Sequence, residues 1–204
     1  MKKFLKLLAL ATIFIIACTS VNLAAKANSN KEVKKMKKTV LIVIASKNFR
    51  DKELFDTKKS LEKNSINTVI ASSTMNKALG VEGNLVQPDL LLKNADMNNY
   101  DAIAFIGGIG SKEYWDDPTA HAIAKKAYAD GKIVAAICMA PVTLAKAGLL
   151  NGKKFNVWES EVETIKKLGG KFYPEPVVSD GNIVTGENAD AALSFGQKIA
   201  ELLK

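Results

Sequence analysis

Histidine and cysteine are scarce in this 204-residue chain, which has one of the first and two of the second. The lone histidine, His121, falls inside a helix-like segment where a solvated position is the expected reading, so no Cys–His pair can be drawn for nucleophilic catalysis. Of the cysteines, Cys18 lies in the leader; if it is lipidated, Cys138 has no partner for an intramolecular disulfide and stands as a free thiol. The sequence shows no internal repeat, and no low-complexity tract after residue 38. Nor does it carry excess charge where the fold is: residues 1–38 hold nine Lys and one Glu, whereas residues 39–204 hold twenty Lys plus Arg against twenty Asp plus Glu. The formal net charge of +8 therefore belongs to the leader and tether. It is no sign of nucleic-acid binding, and none is expected.

The leader "MKKFLKLLALATIFIIAC" sets Lys2, Lys3 and Lys6 before an apolar stretch too short to span a bilayer comfortably. Residues 1–17 read as an export signal, and the "IIAC" that ends it resembles the bacterial lipobox, with Cys18 as the lipidation site. A plain signal peptide cut near Ala25 or Ala27 is the alternative. Residues 18–38, polar and lysine-rich, read as a flexible tether that carries no fold, and residues 39–204 as one domain. These expectations place the protein in the cell envelope, held to a bacterial membrane through its N-terminal lipid.

Within the domain, "TVLIVIAS" (Thr39–Ser46) is an apolar run of the kind buried on both faces of a parallel sheet, "NTVIAS" (Asn67–Ser72) reads as a second short strand, "DAIAFIGG" as the next buried strand and "KIVAAIC" as another. A helix is expected from about Asp51 to Lys63, and another opens at Asp116-Asp117-Pro118 and closes at Gly131. A third covers Ala140 to Ala147 and stops at Gly148. "KFNVW" reads as a strand and is followed by a helix running to "LGG". "ALGVEGNLVQPD" is a turn-rich excursion with hairpin character, and Asp180-Gly181 marks a hairpin. The last helix starts near Asn188 and sets Ala192, Phe195, Ile199 and Leu202 or Leu203 on one face. Alternating strands and helices imply an α/β sandwich: a mostly parallel sheet with helices on both faces.

In such sheets reactive groups gather beyond the carboxyl ends of the strands. Cys138 is at such an end, where "VAAIC" turns at once into a helix with Pro141 in its first turn. The junction suits a strained elbow whose thiol is favoured as thiolate by the helix N-terminus, although a cysteine is also an ordinary small buried residue. Gly107, Gly108 and Gly110 follow another strand, so the N–H groups of Gly108 and Met139 are candidates for an oxyanion site. Glu53, just past the first strand, can exchange a proton with the Cys138 sulfur if its loop folds over the sheet; alone it reads as a surface acid.

Taken together, "NFRDKEL", "YDAIAFIGGIG", "GKIVAAICMAPVTLAKAGLLNGKKF" and "VVSDGNIVTGENADAALSFG" resemble the ThiJ/PfpI superfamily, also called the DJ-one superfamily, from Val40 to Leu203. The resemblance implies a flavodoxin-like sandwich, Cys138 as elbow nucleophile, Glu53 as its proton partner, and Gly108 and Met139 as backbone donors to an oxyanion. It implies a homodimer, and activities ranging over peptidase, glutathione-independent glyoxalase, deglycase, chaperone and sensor of oxidation. The chain departs from the pattern at several places. Met139 stands where peptidase-like members carry histidine, Ala140 where glycine is usual before the elbow proline, and Glu187-Asn188-Ala189 in place of an Arg-Gly-Pro-like segment. Trp158 and Glu159 stand where many members have His or Tyr, and with Gly107 they are expected to line the pocket.

The expected function is action on small reactive carbonyls, glyoxalase- or deglycase-like, through a Cys138 thiolate with Glu53 moving protons and with no metal and no cofactor. The alternative is a non-enzymatic sensor or chaperone that meets oxidants through Cys138. Peptidase-like hydrolysis ranks last, because it normally needs the missing imidazole.

Overall fold

A computed structural model of the protein describes residues 37–204. The signal sequence, Cys18 and the tether as far as residue 36 lie outside the described residues. From the N-terminal side, β1 (Thr39–Val43) leads through the short β2 (Lys47–Phe49) into α1 (Asp51–Lys63) and back to β3 (Asn67–Ser72). Three small strands follow, β4 (Ala78–Gly80), β5 (Leu85–Val86) and β6 (Leu90–Leu91), before β7 (Ala102–Phe105), α2 (Pro118–Ala129) and β8 (Ile133–Ile137). Next come α3 (Pro141–Lys146), β9 (Lys154–Phe155), α4 (Val162–Lys167), β10 (Lys171–Phe172), the β11–β12 hairpin (Val177–Asp180, Ile183–Gly186) and α5 (Ala192–Leu202).

Seven strands form the central sheet in the order β11-β12-β8-β7-β1-β3-β6. All pair in parallel except β11, which returns antiparallel on β12. The alternation along β1 sorts two cores. Val40, Ile42 and Ile44 face Leu54 and Leu61 of α1 and Phe195 and Ile199 of α5. Leu41 and Val43 face Ala124 of α2, Val142 and Leu144 of α3, and Ile165 of α4. Both faces of β1 are thus dry, which explains an apolar run without polar alternation. This is the flavodoxin-like sandwich. Among the described residues no helix is long and apolar enough to cross a membrane.

Local chemistry accounts for the boundaries. Asp117 caps α2 by accepting the Thr119 and Ala120 N–H groups, with Pro118 behind it in the first turn. The Asp180-Gly181 turn is realised, with Gly181 at φ 63°. Three expectations need correction. The first strand ends at Val43 rather than Ser46, and Lys47–Phe49, read as loop, pairs with β4 to join the β4–β5 hairpin in a separate three-stranded sheet. "KFNVW" supplies only the two residues of β9, paired with β10 outside the main sheet. The third helix is Pro141–Lys146, a residue shorter at each end.

Candidate active site

The carboxyl ends of β7 and β8 bring the glycine loop and the cysteine side by side. Cys138 leaves β8 at φ 61°, a left-handed conformation that cysteine seldom adopts. The backbone fixes it there from both sides: its N–H donates to the Gly186 carbonyl at 2.9 Å and its carbonyl accepts from Trp158 N–H at 2.9 Å. The elbow expected at this junction is therefore held by β12 on one flank and by the segment after β9 on the other. The thiol is free and 8% exposed.

Glu53 arrives from the first turn of α1 and is wholly buried. Its Oε2 accepts the Gly107 N–H at 2.9 Å, while Oε1 has no hydrogen-bond partner among the described residues by distance and angle. Gly107 has to be glycine here, since a Cβ would lie 2.6 Å from Cys138 Cβ and 2.8 Å from Glu53 Oε2. The acid and the thiol thus meet directly over the face of Gly107 that carries no side chain. Gly108, at φ 91°, packs so tightly under β2 that a Cβ would come 2.5 Å from the Asn48 carbonyl and 2.6 Å from the Arg50 nitrogen.

Burial raises the Glu53 carboxyl to about 7, against the nearness of the thiol, the Gly107 N–H and the charges of Arg50 and Lys52. Burial and then the Glu53 charge push the Cys138 thiol up to about 12, opposed by the Gly108 and Met139 N–H groups at the sulfur. The expectation of a thiol lowered by its helix is not met, because burial first and the neighbouring Glu53 carboxylate second outweigh the two N–H donors. Protonation of Glu53 removes the second of these causes and leaves burial opposed by the donors. The two groups therefore titrate as a pair.

A cleft of about 650 Å³ opens above them. Glu53, Gly108, Cys138, Met139 and Trp158 line it, which brings together most of the residues singled out in the sequence. Gly107 does not line it but sits behind the surface, holding Glu53. Glu159 does not line it either; it opens a 3₁₀ turn in which no residue is buried. His121 is bound through Nε2 to the Trp115 carbonyl at 2.9 Å, away from the cleft.

Sequence reasoning missed Arg50, Lys52, Val81, Glu82 and Asp190, all of which line the cleft, while Asn188 and Ala189, noted as a departure from the family pattern, line it too. It also missed Asp51, wholly buried beside the site. One Asp51 oxygen accepts the Glu82 N–H at 2.8 Å, and the other accepts Asn84 N–H at 3.2 Å and Asn84 Nδ2 at 2.9 Å. Asp51 thus ties the β4–β5 hairpin to α1 and sets Val81 and Glu82 at the cleft. The available signal was the close approach of "LGVEGN" to something polar; an acid in a helix's first turn reads first as a partner of the helix dipole.

Comparison with known proteins agrees with this architecture. An uncharacterized protein of Methanocaldococcus jannaschii is 36% identical over 196 residues, 94% of this chain and 96% of its own. The protein named deglycase PfpI of Pyrococcus furiosus is 27% identical over 164 residues, 80% of this chain and 99% of its own. The crystal structure of a ThiJ/PfpI domain protein from Brachyspira murdochii superposes with a TM-score of 0.80 at 30% identity, covering 82% of this chain and 97% of that one. With the family model matching residues 38–202 around the same elbow, glycine loop and buried acid, the chain belongs to the DJ-1/PfpI family.

Proposed function

We propose that the protein is a cysteine-dependent enzyme acting on small reactive carbonyls, or on the adducts they leave on amines and thiols, in the manner of a deglycase or a glutathione-independent glyoxalase. The observation that carries this reading is the floor of the cleft: a thiol on an elbow residue, a buried carboxyl raised to about 7, and two backbone N–H groups at the sulfur. In the proposed reaction the Cys138 sulfur adds to an aldehyde carbon, forming a C–S bond, and the carbonyl electron pair moves to oxygen. The Gly108 and Met139 N–H groups stabilise that oxyanion. With a 2-oxoaldehyde, Glu53 takes the proton from the former aldehyde carbon and returns it to the neighbouring one, oxidising the first carbon to a thioester and reducing the second to an alcohol. Water then releases the 2-hydroxy acid and the thiol, so methylglyoxal and water give lactate with no outside oxidant. A carboxyl near 7 suits both proton steps at neutral pH. The relatives from Pyrococcus furiosus and Thermococcus kodakarensis named deglycases support extending the reading to adducts.

The test is turnover of methylglyoxal, and of its adduct with N-acetyllysine, by purified protein. Both activities are expected to vanish in Cys138→Ser. Stoichiometric oxidation of Cys138 with no turnover of either compound would overturn the reading. A second reading, a thiol that reports oxidants by passing to sulfenic or sulfinic acid, is favoured by one observation: no imidazole lines the cleft among the described residues. The same fact argues against amide hydrolysis, since the Met139 thioether cannot take a proton at neutral pH. We also propose a homodimer, to be checked by sedimentation, and an envelope location with Cys18 lipidated, supported by the "IIAC" sequence and the lysine-rich stretch after it.

A further inference from the structure

The cleft wall carries two cations of different standing. Lys52 is committed: its Nζ meets Asp56 at 2.9 Å, Asp190 at 3.6 Å and the Ala189 carbonyl at 3.1 Å. Arg50 is half-buried in the same wall, yet its guanidinium makes no salt bridge and no side-chain hydrogen bond among the described residues. Its backbone, by contrast, is fixed. It is the N-cap residue of α1, its N–H donates to the Gly107 carbonyl at 3.0 Å, and its nitrogen lies against Gly108. A flexible cation thus hangs from the same backbone joint that positions the oxyanion donor, and its charge is felt by Glu53 on the cleft floor.

No acid of the cleft forms a salt bridge with it among the described residues. Asp190 is taken up with Lys52 and its side chain is 93% exposed, while Glu82 is anchored through its backbone N–H and is itself exposed. A guanidinium offers a planar fork of donors that fits a carboxylate with two parallel bonds, a match an ammonium cannot make. The cleft is also far roomier than a three-carbon dicarbonyl requires and is of the size that receives ligands with several functional groups.

We propose that Arg50 is a specificity-determining residue that binds a carboxylate carried by the substrate beyond its reacting carbonyl, so that the cleft selects anionic 2-oxoaldehydes or carboxylate-bearing adducts over neutral ones. This rests on the carbonyl reading for its substrate but not for its recognition step, and the experiment separates the two. Native protein is alkylated at Cys138 with iodoacetate and with its neutral isostere iodoacetamide, and the ratio of the two rates is compared across variants. Arg50→Gln is expected to lower the iodoacetate-to-iodoacetamide ratio by about tenfold, Arg50→Lys to restore only part of it, and Lys52→Gln to lower it much less. In parallel, kcat and KM are measured for 4,5-dioxopentanoate and for methylglyoxal. Arg50→Gln is expected to raise KM for the carboxylate-bearing compound by about tenfold relative to methylglyoxal, with a smaller change in kcat.

An alkylation ratio equal in wild type and Arg50→Gln overturns the proposal, whatever the turnover data show. Equal losses in Lys52→Gln and Arg50→Gln also overturn it, because they would mean a diffuse field rather than a bidentate contact. An Arg50-dependent alkylation ratio with no turnover of either dicarbonyl upholds the anion site and overturns the enzymatic reading alone. Failure of both reagents to label native Cys138 overturns both.

Discussion

Glu53 is buried with one oxygen on the Gly107 N–H and with the Cys138 thiol beside it, so its proton governs both the thiol and the fold. A carboxyl raised from 4.5 to about 7 holds its proton in the folded chain at pH values where the unfolded chain has lost it. Its contribution is fully present below the unfolded value and is lost as pH rises through about 7. The shift corresponds to roughly 3 kcal/mol. Glu53→Gln keeps an acceptor for Gly107 and cannot ionise, so urea midpoints are expected to fall between pH 5 and pH 8 in wild type and to hold nearly level in the variant. The same substitution removes the charge that raises the thiol, so Cys138 alkylation at pH 8 should speed up while carbonyl turnover falls by roughly 10²-fold. Glu53→Asp, one methylene shorter, should slow alkylation at neutral pH by retaining the charge while losing the contact. Superimposable rate–pH curves for the three proteins would place Glu53 outside the proton chemistry. Cys138 was legible in the sequence because it sits at a junction of strand and helix, whereas Glu53 alone read as a surface acid and was singled out through the family resemblance. Arg50 was not legible, because its place in the wall follows from the seating of α1 against the Gly107 carbonyl, a contact 57 residues away in the chain.

At the scale of elements, the β4–β5 hairpin depends on a single side chain. Burial alone would raise the Asp51 carboxyl, but the Glu82 N–H and the Asn84 amide and N–H outweigh it and hold the group below the ordinary aspartate value. A lowered folded value means that the stabilisation is present above the unfolded one and disappears as pH falls through the folded one. Asp51→Ala should leave the Glu82 and Asn84 N–H groups without their acceptor and cost about 2 kcal/mol, read from denaturant midpoints at pH 7. Amide exchange should quicken locally at residues 80–84 rather than across the central sheet. An equal rise in exchange along β1 and β8 would show that Asp51 supports the whole fold instead. Gly80 belongs to the same joint, since a Cβ there would fall 2.0 Å from Asp51 Oδ1. The sequence was readable for β1, β7 and β8, whose residues are dry on both sides, and for the Asp180-Gly181 turn. It was unreadable for β2, three residues of which two are exposed, and it overran at β9, where only two residues of "KFNVW" pair and only Phe155 turns inward. Strands that short are made by their partners, not by their own pattern.

At the scale of the molecule, the charge asymmetry of the sequence leaves the described domain close to neutral, and this bears on location rather than on the cleft. If the lysine-rich N-terminal stretch and Cys18 hold the protein at a membrane, Cys18→Ala should move it from the membrane pellet to the soluble fraction, with no change in Cys138 alkylation of the purified domain. A mature N-terminus mapped near Asn28 would instead show a cleaved, unanchored form. The topology adds a consequence of a different kind. Lys38 at the entry to β1 and Leu203 and Lys204 at the end of α5 line the same shallow groove, beneath the amino ends of β1 and β8, whereas Cys138 stands beyond the carboxyl end of β8. Start and finish of the folded unit are neighbours on one rim, and the chemistry is on the other. The domain is thus wired as a plug-in cassette: its two ends can be spliced into a host loop, or joined to each other and reopened elsewhere, without a linker having to pass the mouth of the cleft.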